Sequence, residues 1–291
     1  MRPDVSAERP VVNVNIDLIA IAKIAHVGVR RAALFLGLGL NGVNQPGFKD
    51  YELHKLPPGE NLAVLPPDII ARGAPDHVIE RFKTEFSTWV TGCGLREMLE
   101  HYGLMLDHIH KYGLLVAQTR HFLDLIGDPE KLQYEFARRL GIPDKHDRLK
   151  NRFQIEPEFA SHIDALYSAR NALTHGLGTV RAEDIGPDGT LVLQWLAFEM
   201  HARGEETDNV VPLRELFGKV TTEAMSLYIR AVERKLSYKV GDKIALTAQD
   251  LYEILFFMEL HMIPKAMAAF AQFLKDQGVE GPMEEGKERA A

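Results

Sequence analysis

Apolar residues return every three or four positions through most of this chain, and that periodicity limits it to a largely helical fold. Between Asp76 and about Ile126 the series runs Val78, Phe82, Phe86, Val90, Leu95, Leu99, Leu104, Leu106 and Leu114, with Gly92-Cys93-Gly94 and Gly113 placed to bend or split the helix. Ile16–Leu38 is apolar on nearly every side, as in a core helix. Shorter helical patterns follow at Glu130–Leu140, closed by Gly141 and Pro143, and at the basic stretch Lys145–Phe153. Pro157 suits the first turn of the next helix, which runs to His175 and stops at Gly176, a residue suited to a left-handed cap. Beyond it, Gly186-Pro187-Asp188-Gly189 separates two β-prone runs, predicting a hairpin over 178–201. Residues 213–236 read as helical again and 237–246 as extended. Thr247 and Asp250 form a capping pair for a helix that Pro264 should kink and that ends near Asp276. Residues 1–14 read as a loose arm, 41–75 as a Gly/Pro-rich connection, and 277–291 as a disordered tail.

Composition narrows the function classes. A formal net charge of −7 argues against a protein that coats duplex nucleic acid, whose affinity comes mainly from phosphate neutralisation. A single cysteine, Cys93, rules out a disulfide framework within the chain and fits a reducing cytoplasm. The first residues do not read as a signal peptide. The apolar stretch Ile16–Leu40 is interrupted by Asp17, Lys23, His26, Arg30 and Arg31. It therefore falls short of the roughly 18 uninterrupted apolar residues of a membrane span. The expected setting is cytoplasmic, with no membrane partner. His101, Asp107, His108 and His110 lie on one helix, but His108 and His110 are about 200° apart on it and cannot share a metal. No cofactor is called for.

One segment combines groups that carry chemistry with helix punctuation: Ala169-Arg170-Asn171-Ala172-Leu173-Thr174-His175-Gly176. Arg170 falls inside the apolar stripe Phe159, Ile163, Leu166, Leu173, where a cation must pair, reach out along its stem, or face a ligand or an interface. Asn171 and His175 are four residues apart, close enough on a helix to hydrogen-bond. Arginine's planar fork suits phosphate, and an imidazole can take and give a proton near neutral pH. Together they could activate an RNA 2′-hydroxyl and steady the charge that develops on phosphate, with no metal. Arg96–His101 and Arg139–His146 show related spacings, but only the third has an asparagine next to the arginine and a helix stop after the histidine. Just before it, residues 138–152 carry Arg138, Arg139, Lys145, Arg148, Lys150 and Arg152 against Asp144 and Asp147. In this stretch Arg148, Lys150 and Arg152 are candidates to line an RNA groove.

Arg170-Asn171-x-x-x-His175 resembles the Arg-x4–6-His motif of the HEPN superfamily, and the resemblance extends over about 128–200. It implies a mainly α, HEPN-like helical bundle (128–276) with an inserted β-hairpin and extra N- and C-terminal helices, the first 127 residues forming an N-terminal helical region. It further implies a homodimer in which two motif helices meet, acting on RNA as a metal-independent endoribonuclease that leaves 2′,3′-cyclic phosphates, in toxin or phage-defence systems with an antitoxin or defence partner. By this resemblance His175 is the acid/base group, Arg170 holds the scissile phosphate and Asn171 orients His175 or the phosphate. A tyrosine two residues after the histidine marks one branch of toxins. Here that position is Leu177, so control through that tyrosine is not expected. The other reading is a non-catalytic HEPN-like module that binds a nucleotide, an RNA or a protein partner.

Overall fold

The spine of the fold is helix α2 (Asp76–Thr119), 44 residues long and unbroken in the computed structural model, which describes residues 16–43, 75–119, 127–176 and 178–279. The expected break at Gly92-Cys93-Gly94 or Gly113 does not occur. Gly94 and Gly113 are points of close approach instead. A Cβ at Gly94 would lie 3.0 Å from Leu251, and one at Gly113 would lie 2.9 Å from the Phe153 ring. On α1 (Leu18–Val43), a Cβ at Gly28 would collide with His101 at 2.3 Å. Each glycine costs a helix about 1 kcal/mol relative to alanine, and the close packing of His101, Leu251 and Phe153 at these three positions offsets that loss. Residues 76–89 of α2 contribute nothing to the core; its burial begins at Val90.

Three helices follow in the predicted order. Helix α3 (Pro129–Arg139) starts where the Asp128 carboxylate accepts from the Glu130 N–H. Helix α4 (Ile142–Phe153) ends on Gln154 in the left-handed region, φ 58°. Helix α5 (Ala160–His175) begins three residues later than Pro157. That proline instead closes a turn, its carbonyl accepting from the Ala160 N–H, and Phe159 takes the left-handed N-cap position.

The β region departs from the sequence reading. Strand β1 (Thr190–Gly204) pairs antiparallel along its whole length with β3 (Met225–Lys239), from Thr190↔Lys239 to Gly204↔Met225. The short β2 (Val210–Pro212) pairs with the far end of β1, giving the order β2-β1-β3. Thus the second half of the helix expected over 213–236 is a strand, and its first half holds only the 3-10 turn Leu213–Glu215. The Gly186–Gly189 turn exists, with Gly189 at φ 76°, but no hairpin spans it. The chain before it makes a 3-10 turn, Ala182–Asp184, and one isolated bridge, Thr179↔Lys243. What selects β3 is its partner. Leu191, Leu193, Trp195 and Ala197 of β1 are buried, and their ladder needs a second strand for its backbone groups.

The last helical rod is α6 (Ala248–Phe257), a π-turn (Met258–Met262) and α7 (Ile263–Asp276). Thr247 and Asp250 form the predicted capping box. Pro264 does not break the rod. The helix widens just before it, and the Ile263 N–H reaches back five residues to the Met258 carbonyl. By length and composition this rod could cross a membrane. However, Leu251, Ile254, Met258, Met262 and Phe270 are buried in a core that runs from Ile21 to Leu274. The arm 1–14, most of the 41–75 connection, nearly all of the 277–291 tail and Leu177 lie outside the described residues.

Candidate functional site

Helix α5 packs through Ile163, Leu166, Ala169 and Ala172, so the buried stripe includes two alanines, and Leu173 is only half-buried at its edge. Leu173 packs beside Gly92 of α2, and one turn earlier on α5 Arg170 meets Glu100 of α2. Arg170 sits at the margin of the buried face with its side chain 18% exposed. Its Nη2 donates to Glu100 Oε1 at 3.1 Å and its Nη1 to Asn171 Oδ1 at 3.0 Å. The guanidinium also lies 5.8 Å from the Tyr167 ring. These partners fix the plane of the fork.

His175 is the last residue of α5 and is exposed. Among the described residues its side chain makes no hydrogen bond or ion pair. The expected Asn171–His175 pairing is therefore replaced by Asn171–Arg170. The chain brings Arg170 and Asn171 together and leaves the imidazole outside. The helix end also differs from expectation. Gly176 has φ −101°, and the left-handed residue is Gly178 at φ 78°. Gly176 is required for another reason: a Cβ there would lie 2.6 Å from the Thr179 carbonyl and 2.8 Å from that of Ala172. The same Cβ position is 3.5 Å from Arg181 Nε, so a further arginine flanks the helix end, ion-paired to Glu183 and Asp184. Sequence reasoning missed it because Arg181 lies beyond a turn. The available signal was Asp184 three residues on, which accepts from the Arg181 N–H.

Beside Arg170 opens a groove of about 350 Å³ between α2, the Leu140–Ile142 turn, α4 and α5. Glu100, Gly103 and Asp107, spaced three and four apart, present one face of α2 to it. Lys145 faces them from α4, with Nζ 2.6 Å from Asp107 Oδ1; the two side chains are only 8% and 12% exposed. The ammonium also lies 5.6 Å from the Phe136 ring. Burial pushes the Asp107 carboxyl up, against the pull of Lys145. Lys145, read from sequence as part of a basic surface, is a buried ion-pair partner.

The remaining basic candidates divide. Arg148 and Lys150 are exposed, and Lys150 is paired with Glu156 at 2.6 Å. Arg152 turns inward and donates from Nη1 to His110 Nε2 at 3.3 Å. Burial, and secondarily Arg148, lowers the affinity of Arg152 for its proton. His110 donates from Nδ1 to Gln133 Oε1 at 2.7 Å and stacks on Phe136. Burial chiefly, helped by the neighbouring cation Arg152, pushes its pKa down to about 4. His146, the second half of the Arg139–His146 spacing, is buried. Its Nδ1 donates to Asp164 and its Nε2 accepts from the Tyr102 hydroxyl at 3.1 Å.

Compared with family models, curated proteins and solved structures, the chain matches none.

Proposed function

We propose that this chain is a metal-independent endoribonuclease of the HEPN type, its site built from Arg170, Asn171 and His175 and completed by a second copy of the chain. The observation that carries this reading is the contrast at the end of α5. A guanidinium is held in a fixed plane by Glu100 and Asn171, and one turn on stands an exposed imidazole with no side-chain partner among the described residues. In this mechanism His175 removes the proton from an RNA 2′-hydroxyl as the oxygen attacks the adjacent phosphorus. The P–O5′ bond breaks, the leaving 5′-oxygen takes up a proton from water, His175 returns its proton to solvent, and a 2′,3′-cyclic phosphate remains. Arg170 donates to the phosphate oxygens as charge builds on them. Arg170 and His175 project about 140° apart on an ideal helix, so the two groups meet on one phosphate most directly when two α5 helices come together, which favours a homodimer. Asn171 acts by orienting the guanidinium.

The test is cleavage of a mixed RNA pool in EDTA by the wild-type chain, His175→Ala and Arg170→Ala, with analysis of the ends. The expected result is cleavage by wild type alone, leaving cyclic phosphates. Equal cleavage by all three proteins, or 3′-hydroxyl products, removes the assignment.

A second reading draws on Glu100. A carboxylate already on the Arg170 fork competes with phosphate, which favours a non-catalytic module that holds a nucleotide, an RNA or a protein. Saturable RNA binding without turnover would select it.

A further inference from the structure

The Arg170 groove has the anatomy of a single-nucleotide pocket. Arg170 lies at one end, with fork donors beyond the two that bind Glu100 and Asn171. The Tyr167 ring and the aliphatic side chains of Leu99 and Ile142 form walls. At the other end Lys145 and Asp107 set a strong donor beside a strong acceptor, 2.6 Å apart. The groove's volume of about 350 Å³ falls at the small end of the about 300–1,000 Å³ spanned by ligand pockets. An anion contact, a flat partly apolar passage and an adjoining donor and acceptor match, in order, the phosphate, the ring and the polar edge of a nucleobase. We infer that this groove takes one nucleotide of a single-stranded RNA, its phosphate on Arg170 and its base edge on the Lys145–Asp107 pair. The inference rests on the reading of Arg170 as a phosphate ligand and adds what lies beyond it: the enzyme grips an unpaired base. Duplex RNA would be excluded, because its base edges are occupied by pairing. Two neutralising carboxylates also explain why an isolated anion would not be held. Each cation already has a carboxylate partner, so only a ligand that offers both donors and acceptors gains from entering.

Gly103 supplies a probe that leaves the charges alone. An added Cβ would meet Ile142 and Lys145 Nζ at 3.8 Å, which is ordinary contact. Alanine is also the better helix former at an interior position. Gly103→Ala therefore folds at least as well as wild type while placing a methyl group on the groove floor. The experiment is calorimetric titration of the full chain with the four nucleoside 3′-monophosphates, ribose 5-phosphate and inorganic phosphate, repeated for Gly103→Ala and His175→Ala. The expected result is saturable binding of at least one nucleotide, roughly tenfold or more tighter than ribose 5-phosphate, lost in Gly103→Ala and kept in His175→Ala. Absence of nucleotide binding, equal binding of ribose 5-phosphate or phosphate, or unchanged binding in Gly103→Ala overturns it. RNA cleavage is assayed on the same preparations. Cleavage without nucleotide binding removes the groove and leaves the nuclease, whereas nucleotide binding without cleavage supports the groove and removes the nuclease.

Discussion

Among the histidines that follow an arginine at short spacing, His146 and His175 are treated by the fold in opposite ways. His146, seven residues after Arg139, is sealed in the core with both ring nitrogens occupied, by Asp164 at 2.8 Å and by Tyr102 at 3.1 Å. His175, five residues after Arg170, stands exposed at the end of its helix with no side-chain partner among the described residues. A satisfied imidazole ties elements together, here α2, α4 and α5. One that stands a turn beyond an oriented guanidinium, with no side-chain partner among the described residues, leaves its ring nitrogens open to a substrate. Spacing in sequence does not separate the two; the environment does.

The sharpest way to break the comparison is to remove each ring. His175→Ala should lower RNA cleavage by about 10²–10⁴-fold, the usual worth of a general acid–base, with thermal stability unchanged. His146→Ala should do the reverse and cost on the order of 2–4 kcal/mol, because it opens a cavity and leaves the buried Tyr102 hydroxyl and Asp164 without their partner. Denaturant melts of both variants beside cleavage assays give the answer. A His175→Ala protein that unfolds early with little loss of cleavage would reverse the assignment.

Acid provides a second lever on the buried side. His110 has its pKa held at about 4, against the 6.5 of an unfolded chain. Between those values the unfolded chain binds the extra proton, so stability rises with pH through that window and is lost as pH falls from 6.5 toward 4. A shift of this size is worth on the order of 3 kcal/mol. Burial pushes His162 and His261 down as well, with the same sign. Melts from pH 7 to 4 should show the slope, and His110→Asn should flatten it. A slope unchanged in the variant would place the acid sensitivity elsewhere.

The smallest expected effect refines the exposed side. Glu100 is half exposed, so Glu100→Gln should change stability by less than about 1 kcal/mol. By releasing Arg170 it should tighten RNA binding a few-fold, read by titration at fixed salt. Weakened RNA binding would mean that Glu100 works by orienting the fork rather than by competing for it.

Local chemistry accounts for the parts that could be read in advance. Helices α3, α4 and α5 stand within a few residues of their predicted spans because caps, prolines and short-range apolar spacing act inside one or two turns. The Thr247–Asp250 box is correct for the same reason. The unbroken α2 was misread because a glycine looks identical in sequence whether it breaks a helix or lets another chain approach it. Lys145 was misread because a cation's partner, here Asp107, lies 38 positions away.

What the sequence determined by itself was the mainly helical class, most helix spans, and the single segment that puts an arginine, an asparagine and a histidine at a helix end. Tertiary structure decided the rest. It made 225–239 a strand: only the second half, where Val232, Arg234, Leu236 and Tyr238 alternate with exposed residues, carries a two-residue period, and the exposed first half takes its conformation from the ladder with β1. It turned Arg170 and Asn171 toward each other and left His175 outside, and it carved the groove from four helices whose residues meet only when the core closes. The physical reason is one of range. Backbone propensity and capping act over a few residues, whereas ion pairs, strand pairing and pocket walls join side chains that the chain brings together only by folding.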